Sequence, residues 1–354
     1  RLSQRQHTMR KFYTFLLSPL LLAILLVLCA CDSSNGDSRA SQDAGADTYE
    51  PRDTAPTPCI ACTGNFTIQN EEDLQLLAQC TTISGDLWAY NLDEAEGLNG
   101  LECLTHVGGN LTVQGNKKLT QINGLSNLES VGGYLWVKDN EALIALDGLS
   151  KLETVGGFMQ LEGLKALETT KGFSSLTSVG EALMLNDNDL LEDIEGFPKL
   201  VSVGTDLSIT NHHHLKKISG FPAMENVPGN LHIGWNAFLV DITGFSSLTT
   251  ISGSLDIENH PKATNLIGFS ALESVGLNLN LAHHVQLPHI NWFSNLRELG
   301  GDLWIRNNAA LTNIDGFSGL TVIPGGLQIE GNPALASLQG FENLEKVLGE
   351  FHIG

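Results

Sequence analysis

The sequence predicts an all-β solenoid, a right-handed parallel β-helix with 24-residue coils behind an N-terminal cap linked by disulfides. The first observation is the period, because apolar residues recur every 24 positions over 85–354 without an insertion. A fixed period of this length is typical of solenoids, in which each unit buries its apolar edge only against its neighbours. The second observation is an unbroken column of phenylalanines, one per repeat: Phe173, Phe197, Phe221, Phe245, Phe269, Phe293, Phe317 and Phe341.

Each repeat also contains a short alternating segment. One apolar column begins at Leu87, and a second begins two residues later at Ala89. Both continue through every repeat, as far as Phe351 and Ile353. This alternation predicts a short strand whose middle residue faces outward. Stacked copies of the strand would form a parallel sheet with neighbours about 4.8 Å apart.

A glycine column precedes the phenylalanines. It runs from Gly100 to Gly340 and is interrupted only by Trp292. Glycine adopts backbone angles that other residues avoid. We therefore expect a corner with an unusual backbone angle here, and we expect the phenylalanine rings to stack in the interior, where burial and offset stacking both stabilise them.

A leucine-rich-repeat horseshoe is the alternative architecture. Such repeats follow the spacing L-x-x-L-x-L-x-x-N, whereas here the pair Gly132-Gly133 adds one residue between Val131 and Leu135. The rest of the repeat steps by three, which is not an amphipathic α-helical pattern. Short strands and corners account for it better, so the β-helix is favoured over the horseshoe.

The balance of charge excludes one class of partner. The chain of 354 residues has a formal net charge of -21. Four basic residues lie in the first thirty positions, which hold no acid, so 15 basic and 40 acidic residues remain beyond them. A chain this acidic has no basic surface for a phosphate backbone, and we expect no nucleic-acid binding.

Residues 1–30 have the pattern of a secretory signal. The basic pair Arg10-Lys11 follows Met9, the expected true start, and the residues from Phe12 to Leu28 are almost all apolar. The tetrad Leu28-Cys29-Ala30-Cys31 resembles the bacterial lipobox. This resemblance implies that Cys31 is acylated, becomes the mature N-terminus and attaches the protein to a lipid bilayer. We expect a location in the cell envelope facing outside the cytoplasm, at the outer membrane or cell surface rather than the inner membrane.

Residues 31–58 are predicted to be a tether, since they are poor in apolar residues and rich in Asp, Ser, Ala and Pro. The cap follows at 59–84. Four cysteines beyond the tether allow three pairings, and their spacing alone does not select one: Cys59, Cys62, Cys80 and Cys103. A short helix is expected after Asn70, because acidic residues follow this cap and Leu74 and Leu77 share one face.

The beginning of the folded region resembles a known module. The runs C-T-G-N-F-T-I from Cys62 and C-T-T-I-S-G-D-L from Cys80 are similar to the opening of a receptor L domain, found in insulin- and EGF-receptor ectodomains, fungal GPI-anchored cell-wall proteins and bacterial envelope proteins. The resemblance covers most of residues 62–354. It implies a first strand at 66–68 and a Cys62–Cys80 bridge, which leaves Cys59 to pair with Cys103.

One column of the repeat carries Asn in most coils and His in three. We expect these side chains to bond the backbone at a turn and to stack between coils: Asn116, Asn140, Leu164, Asn188, His212, Asn236, His260, His284, Asn308 and Asn332. Metal binding by His260, His283 and His284 is the competing hypothesis. We favour the hydrogen-bonded ladder and expect no metal. The run His212-His213-His214 is expected to face solvent.

The outward position of the predicted strand indicates a function. Five large aromatic side chains fall on one face of the first four coils: Trp88, Tyr90, Tyr134, Trp136 and Phe158. Aromatic clusters at a surface are typical of contact sites for proteins or glycans. No column of acids converges and no nucleophile motif occurs, so we expect neither an enzyme nor a cofactor.

The sequence therefore predicts a non-enzymatic, envelope-anchored recognition or adhesion protein that binds a protein or a glycan. The alternative is a structural envelope lipoprotein without a specific ligand. Residue Gly354 falls within a repeat, and we expect the native chain to continue beyond it.

Overall fold

A computed structural model describes residues 59–92 and 94–354. Each coil contributes one strand to a continuous parallel sheet of 13 strands, which we call the wide sheet. Its strands pair in register at the 24-residue period, so that Leu135 lies between Leu111 and Met159. In order, the strands are Phe66–Ile68, Leu87–Tyr90, Leu111–Gln114, Leu135–Lys138, Met159–Glu162, Leu183–Asn186, Leu207–Thr210, Leu231–Gly234, Leu255–Glu258, Leu279–Ala282, Leu303–Arg306, Leu327–Glu330 and Phe351–Ile353.

A second face is formed by shorter strands that precede those of the wide sheet. Seven of them pair in one sheet: Ile60–Cys62, Cys80–Ile83, His106–Val107, Ser130–Val131, Thr154–Val155, Ser178–Val179 and Ser202–Val203. Four more pair in another, Asn226–Val227, Thr250–Ile251, Ser274–Val275 and Glu298–Leu299, and the last two are Val322–Ile323 and Lys346–Val347.

A third face alternates between strands and single helical turns. Its strands are Asp193–Ile194, Lys217–Ile218 and Asp241–Ile242 in one sheet, and His289–Ile290 and Asn313–Ile314 in another. In other coils a 3₁₀ turn lies two residues further along the repeat: Asn123–Leu125, Asp147–Leu149, Lys171–Phe173, Ile267–Phe269 and Gln339–Phe341. Parallel strands on three faces of the coil make the chain an all-β solenoid of about 12 rungs, and the horseshoe alternative is not needed.

The interior is filled by the columns that the period predicts. From Phe173 to Phe317 every phenylalanine of the column is fully buried. Neighbouring rings are stacked, with centroids 5.1 Å apart between Phe221 and Phe245 and planes inclined by 3°. Stacking of this kind adds to the free energy gained by removing each ring from water. The predicted core is confirmed.

The glycine column has a different cause from the one we expected. Among its members only Gly100 has a positive φ, of 109°. The others lie against the backbone of the preceding coil, so that a Cβ built on Gly124 would be 1.7 Å from the carbonyl oxygen of Leu98. Close approach, rather than an unusual backbone angle, therefore excludes a side chain. At Trp292 the column is broken, and the rings of Phe269 and Phe293 are farther apart there, at 6.2 Å.

The cap forms the first turn of the solenoid. Its helix spans Glu71–Leu77, with the Asn70 side chain accepting a hydrogen bond from the Asp73 amide and with Leu74 and Leu77 buried. The disulfides join Cys62 to Cys80 and Cys59 to Cys103. Both pairings are those that the resemblance implied. The second bridge ties the start of the cap to the following coil.

The expected signal peptide (1–30), the acylated Cys31 and the tether (31–58) lie outside the described residues. In the part of the chain that the structure describes, no helix is long and apolar enough to cross a membrane. The inward residues of the last strand, Phe351 and Ile353, are 60% and 47% exposed, because no coil of the described chain covers them.

Candidate functional site

The outer face of the wide sheet carries the most varied side chains of the repeat. In the strand Leu135–Lys138, Leu135 and Val137 are fully buried, whereas Trp136 and Lys138 are only half-buried. The pleat of a strand sends successive side chains to opposite faces. The second and fourth residues of each strand therefore form parallel columns on the outside, and substitutions there leave the core unchanged.

The five predicted residues lie on this face within four coils, and we call them the aromatic patch: Trp88, Tyr90, Tyr134, Trp136 and Phe158. Trp88 and Trp136 occupy the same column on alternate coils, with Thr112 in register between them. Thr112 is only 1% exposed although it points outward. Its neighbours in this outward column are the large side chains Trp88 and Trp136.

Tyr134 and Phe158 form the other half of the patch. Their rings are stacked, with centroids 4.7 Å apart and planes inclined by 12°. Both residues are half-buried, so each ring leaves area in contact with solvent. A stacked pair has little rotational freedom left, and a ligand that packs on it loses little additional side-chain entropy.

These two aromatic residues interrupt a surface ladder of hydrogen bonds. Both lie in the column of residues that immediately precede the strands of the wide sheet. In this column an Asn, Asp or Ser side chain usually accepts a hydrogen bond from the backbone amide of the next coil, as Asn110 does from Tyr134 at 3.0 Å. The ladder members are Asn65, Asp86, Asn110, Asp206, Asn230, Ser254, Asn278 and Asp302. Tyr134 and Phe158 cannot serve in this way. The hydrogen bond from the backbone amide of the next coil is therefore absent at Tyr134 and Phe158.

Polar groups border the patch. The Lys138 ammonium lies 5.2 Å from the centre of the Trp136 ring and 3.2 Å from the Glu162 carboxylate. Burial raises the pKa of Tyr90 above its usual value. The patch therefore combines aromatic faces with a neutralised ion pair and phenol groups. Such a surface has the chemistry to pack against apolar groups and to form hydrogen bonds at its border.

The Asn/His column forms the ladder that we expected, and it is buried. Asn116 accepts a hydrogen bond from the Leu92 amide at 2.8 Å and donates one to the Ala89 carbonyl at 3.1 Å. His212 imitates it, since Nδ1 lies 3.2 Å from the Asn188 amide and Nε2 lies 3.0 Å from the Leu185 carbonyl. The position of His212 in the ladder is thus confirmed.

The expectation that His212, His213 and His214 all face solvent is wrong for the first. His212 is fully buried, whereas its two neighbours are exposed. The rings of His260 and His284 stack 5.4 Å apart, and the Nε2 atom of each lies against a backbone carbonyl. Among the described residues, no group of three or more His, Cys, Asp or Glu side chains could hold a metal ion.

Sequence reasoning missed a second set of exposed aromatic residues. Trp235 and Phe238 are 48% and 43% exposed and lie in the turn after the strand Leu231–Gly234. The signal was present in the columns, because Trp235 takes a position that other coils fill with small or polar residues.

Comparisons with known proteins show no match to a family model and no match to a curated protein.

Proposed function

We propose that the chain is a non-enzymatic recognition protein of the cell envelope that binds a protein or glycan partner through the aromatic patch. The observation that carries the proposal is the clustering of five half-buried aromatic side chains on the outer face of a fold that does not need them there. Aromatic residues dominate binding energy at interfaces because they remove a large area from water while losing few rotamers.

The position of Tyr134 and Phe158 supports this proposal. At both positions a residue that could continue the exposed ladder is replaced by a ring. The ring stacks on its neighbour but leaves area open to solvent. The ladder residues Asn110 and Asp206 accept the hydrogen bond before and after this segment, whereas Ala182, in the coil after Phe158, supplies neither an acceptor nor a ring. Contact with a partner would explain why aromatic rings replace the hydrogen-bonding residues at these two positions.

We further propose that the protein is exported and held at a membrane through acylated Cys31, at the outer membrane or cell surface. The pattern of residues 1–31 supports this, and the two disulfides are consistent with an oxidising compartment. The anchor would hold the solenoid outside the cytoplasm, where a surface partner is accessible.

The test uses the full chain with Trp88, Tyr134 and Trp136 changed together to Ala. We expect retention by the envelope fraction of the producing organism to fall at least tenfold, while the melting temperature stays within a few degrees of the original. Trp304→Ala is the matched control, since Trp304 occupies the same outward column away from the patch. In the same preparation, Cys31→Ala should abolish the mass added by acylation and release the protein from membranes.

Two results contradict the proposal. If the unaltered protein retains no partner, the alternative of a structural spacer is favoured. If Trp304→Ala weakens retention as much as the triple change does, the aromatic patch is not the contact surface.

A further inference from the structure

A second surface lies near the middle of the wide sheet, four coils beyond Trp136. An open groove of about 460 Å³ runs along its outer face and is lined by Asp206, Leu207, Ser208, Asn230, His232, Asp256 and Glu258. The ring of His232 meets the ring of Trp235 edge-on, with centroids 5.3 Å apart and planes inclined by 85°. We call this groove together with Trp235 the Trp235 groove.

The backbone at Trp235 is unfavourable for tryptophan. Its φ is 53°, in the left-handed region. The equivalent positions in the other coils are all Gly, Asn, Asp or His: Asn91, Gly115, Asp139, Gly163, Asp187, Asn211, Asn259, His283, Asn307 and Gly331. For a bulky residue this region is a genuine outlier. The side chain is 48% exposed, so burial does not account for its presence.

Gly234 keeps the groove open. A Cβ at this position would lie 2.6 Å from Nε2 of His232. Without it, the imidazole lies over the glycine and reaches both the edge of Trp235 and, at 3.6 Å, the carboxylate of Glu258. One coil thus combines the imidazole of His232, the missing side chain at Gly234 and the exposed indole of Trp235 on the outer face.

The groove holds three carboxylates and one imidazole. Burial raises the pKa of Asp256, and the nearby carboxylate of Glu258 raises it further, while His232 lowers it. Within the described ranges, no lysine or arginine forms an ion pair with Asp206, Asp256 or Glu258. The corresponding position beside the aromatic patch differs, because Glu162 is paired there with Lys138 at 3.2 Å. The two surfaces therefore suit partners of different charge.

We propose that the Trp235 groove binds an arginine side chain presented by a protein partner. A guanidinium group can stack on an exposed indole and donate paired hydrogen bonds to a carboxylate, so it satisfies both features of the groove. An ammonium group lacks the planar shape for stacking and paired bonding. A neutral sugar would leave the carboxylates without a counter-charge. This proposal concerns other residues than the aromatic patch and does not depend on it.

The test compares two short peptides of glycine and serine that contain either one arginine or one citrulline, its uncharged analogue. Each is titrated into the whole protein while the indole N–H signals of the five tryptophans are followed by NMR. We expect the arginine peptide to shift the Trp235 signal and to bind at least tenfold more tightly than the citrulline peptide. Higher salt should weaken this binding.

The decisive variant is Trp235→Asn. Asparagine occupies the same position in both adjacent coils, at Asn211 and Asn259, so the melting temperature should be unchanged or higher. The affinity for the arginine peptide should nevertheless fall at least tenfold. Asp256→Asn combined with Glu258→Gln should weaken binding similarly. Glu330→Gln, in the outward column of Glu258 three coils further on, should leave it unchanged.

The proposal is overturned if both peptides bind equally, if neither binds up to 10 mM, or if Glu330→Gln weakens binding as much as the groove variants do. A marked loss of stability in Trp235→Asn would also overturn it, since the indole would then serve the fold. A shift of the Trp235 signal by chitohexaose, with none from the arginine peptide, would assign the groove to a glycan instead.

Discussion

Two ladders of side-chain hydrogen bonds run along the solenoid, and they differ in what replaces their polar members. The buried ladder keeps a side chain that can both donate and accept in every coil from Asn116 to Asn332 except at Leu164. Histidine can replace asparagine in this ladder, because one ring nitrogen can donate a hydrogen bond while the other accepts one. The exposed ladder, by contrast, has no side-chain acceptor in three successive coils, at Tyr134, Phe158 and Ala182.

The difference follows from access to water. A backbone group that loses its partner inside a protein bears the full free energy of desolvation, whereas one at the surface can bond to water instead. Losing a hydrogen bond of the exposed ladder therefore costs little free energy of folding. The ladder positions can then hold side chains that form a binding surface. An interruption of the buried ladder, as at Leu164, costs more free energy, because water does not reach the backbone groups there. The following changes test this comparison, beginning with the largest expected effect.

Asn140→Ala should destabilise the protein by about 2–4 kcal/mol, since it leaves two buried backbone groups without partners. The side chain accepts a hydrogen bond from the Asn116 amide at 3.0 Å and donates one to the Val113 carbonyl at 2.8 Å. Chemical denaturation followed by circular dichroism measures the free energy of unfolding. A loss below about 1 kcal/mol would show that water enters the ladder and that burial does not protect it.

His212→Asn should reduce the sensitivity of stability to acid. Burial lowers the pKa of His212 to about 4 in the folded protein, whereas the pKa in the unfolded chain is about 6.5. Between these values the unfolded state binds a proton that the folded state does not, so stability is complete above about pH 6.5 and falls as the pH decreases towards 4.

The free energy of unfolding lost between pH 7.5 and pH 5.0 should be smaller in His212→Asn by about 1–2 kcal/mol. Denaturation at the two pH values measures it. His213→Asn is the control, because His213 is exposed. An equal effect of both changes would mean that the buried position of His212 is not the cause.

Asn230→Ala should have the smallest effect, below about 1 kcal/mol. Asn230 belongs to the exposed ladder and accepts a hydrogen bond from the Ser254 amide at 2.9 Å. After the change water can bond to that amide. The same denaturation experiment applies, with Asn140→Ala alongside. Equal losses for the two asparagines would remove the distinction between the ladders.

Much of this fold could be predicted because the same residue positions recur in every coil. The inward column from Leu87 and the phenylalanine column define the core directly, since burial permits few residue types and the period repeats each choice. The N-cap at Asn70 could also be predicted from the sequence, because capping depends only on residues that are close in the chain. The disulfide pairing came from resemblance, as spacing left three possibilities.

Other features depend on distances between coils, which a single repeat does not contain. The glycine column suggested an unusual angle, but the reason is the approach of one coil to the carbonyl oxygens of the coil before it. The burial of His212 next to exposed His213 likewise depends on where the turn begins. The Trp235 groove was missed because its members come from three coils, and only the stacked structure brings them together.

The sequence by itself determined that this chain forms a solenoid, which residues fill it and which side chains lie outside the wide sheet, because periodicity and apolarity are properties of the chain. Only the tertiary structure decided how closely the coils approach, which polar groups are sealed from water and which surface residues from different coils share a groove. These depend on contacts between residues 24 or more positions apart, whose free energies follow from packing distances that no local pattern encodes.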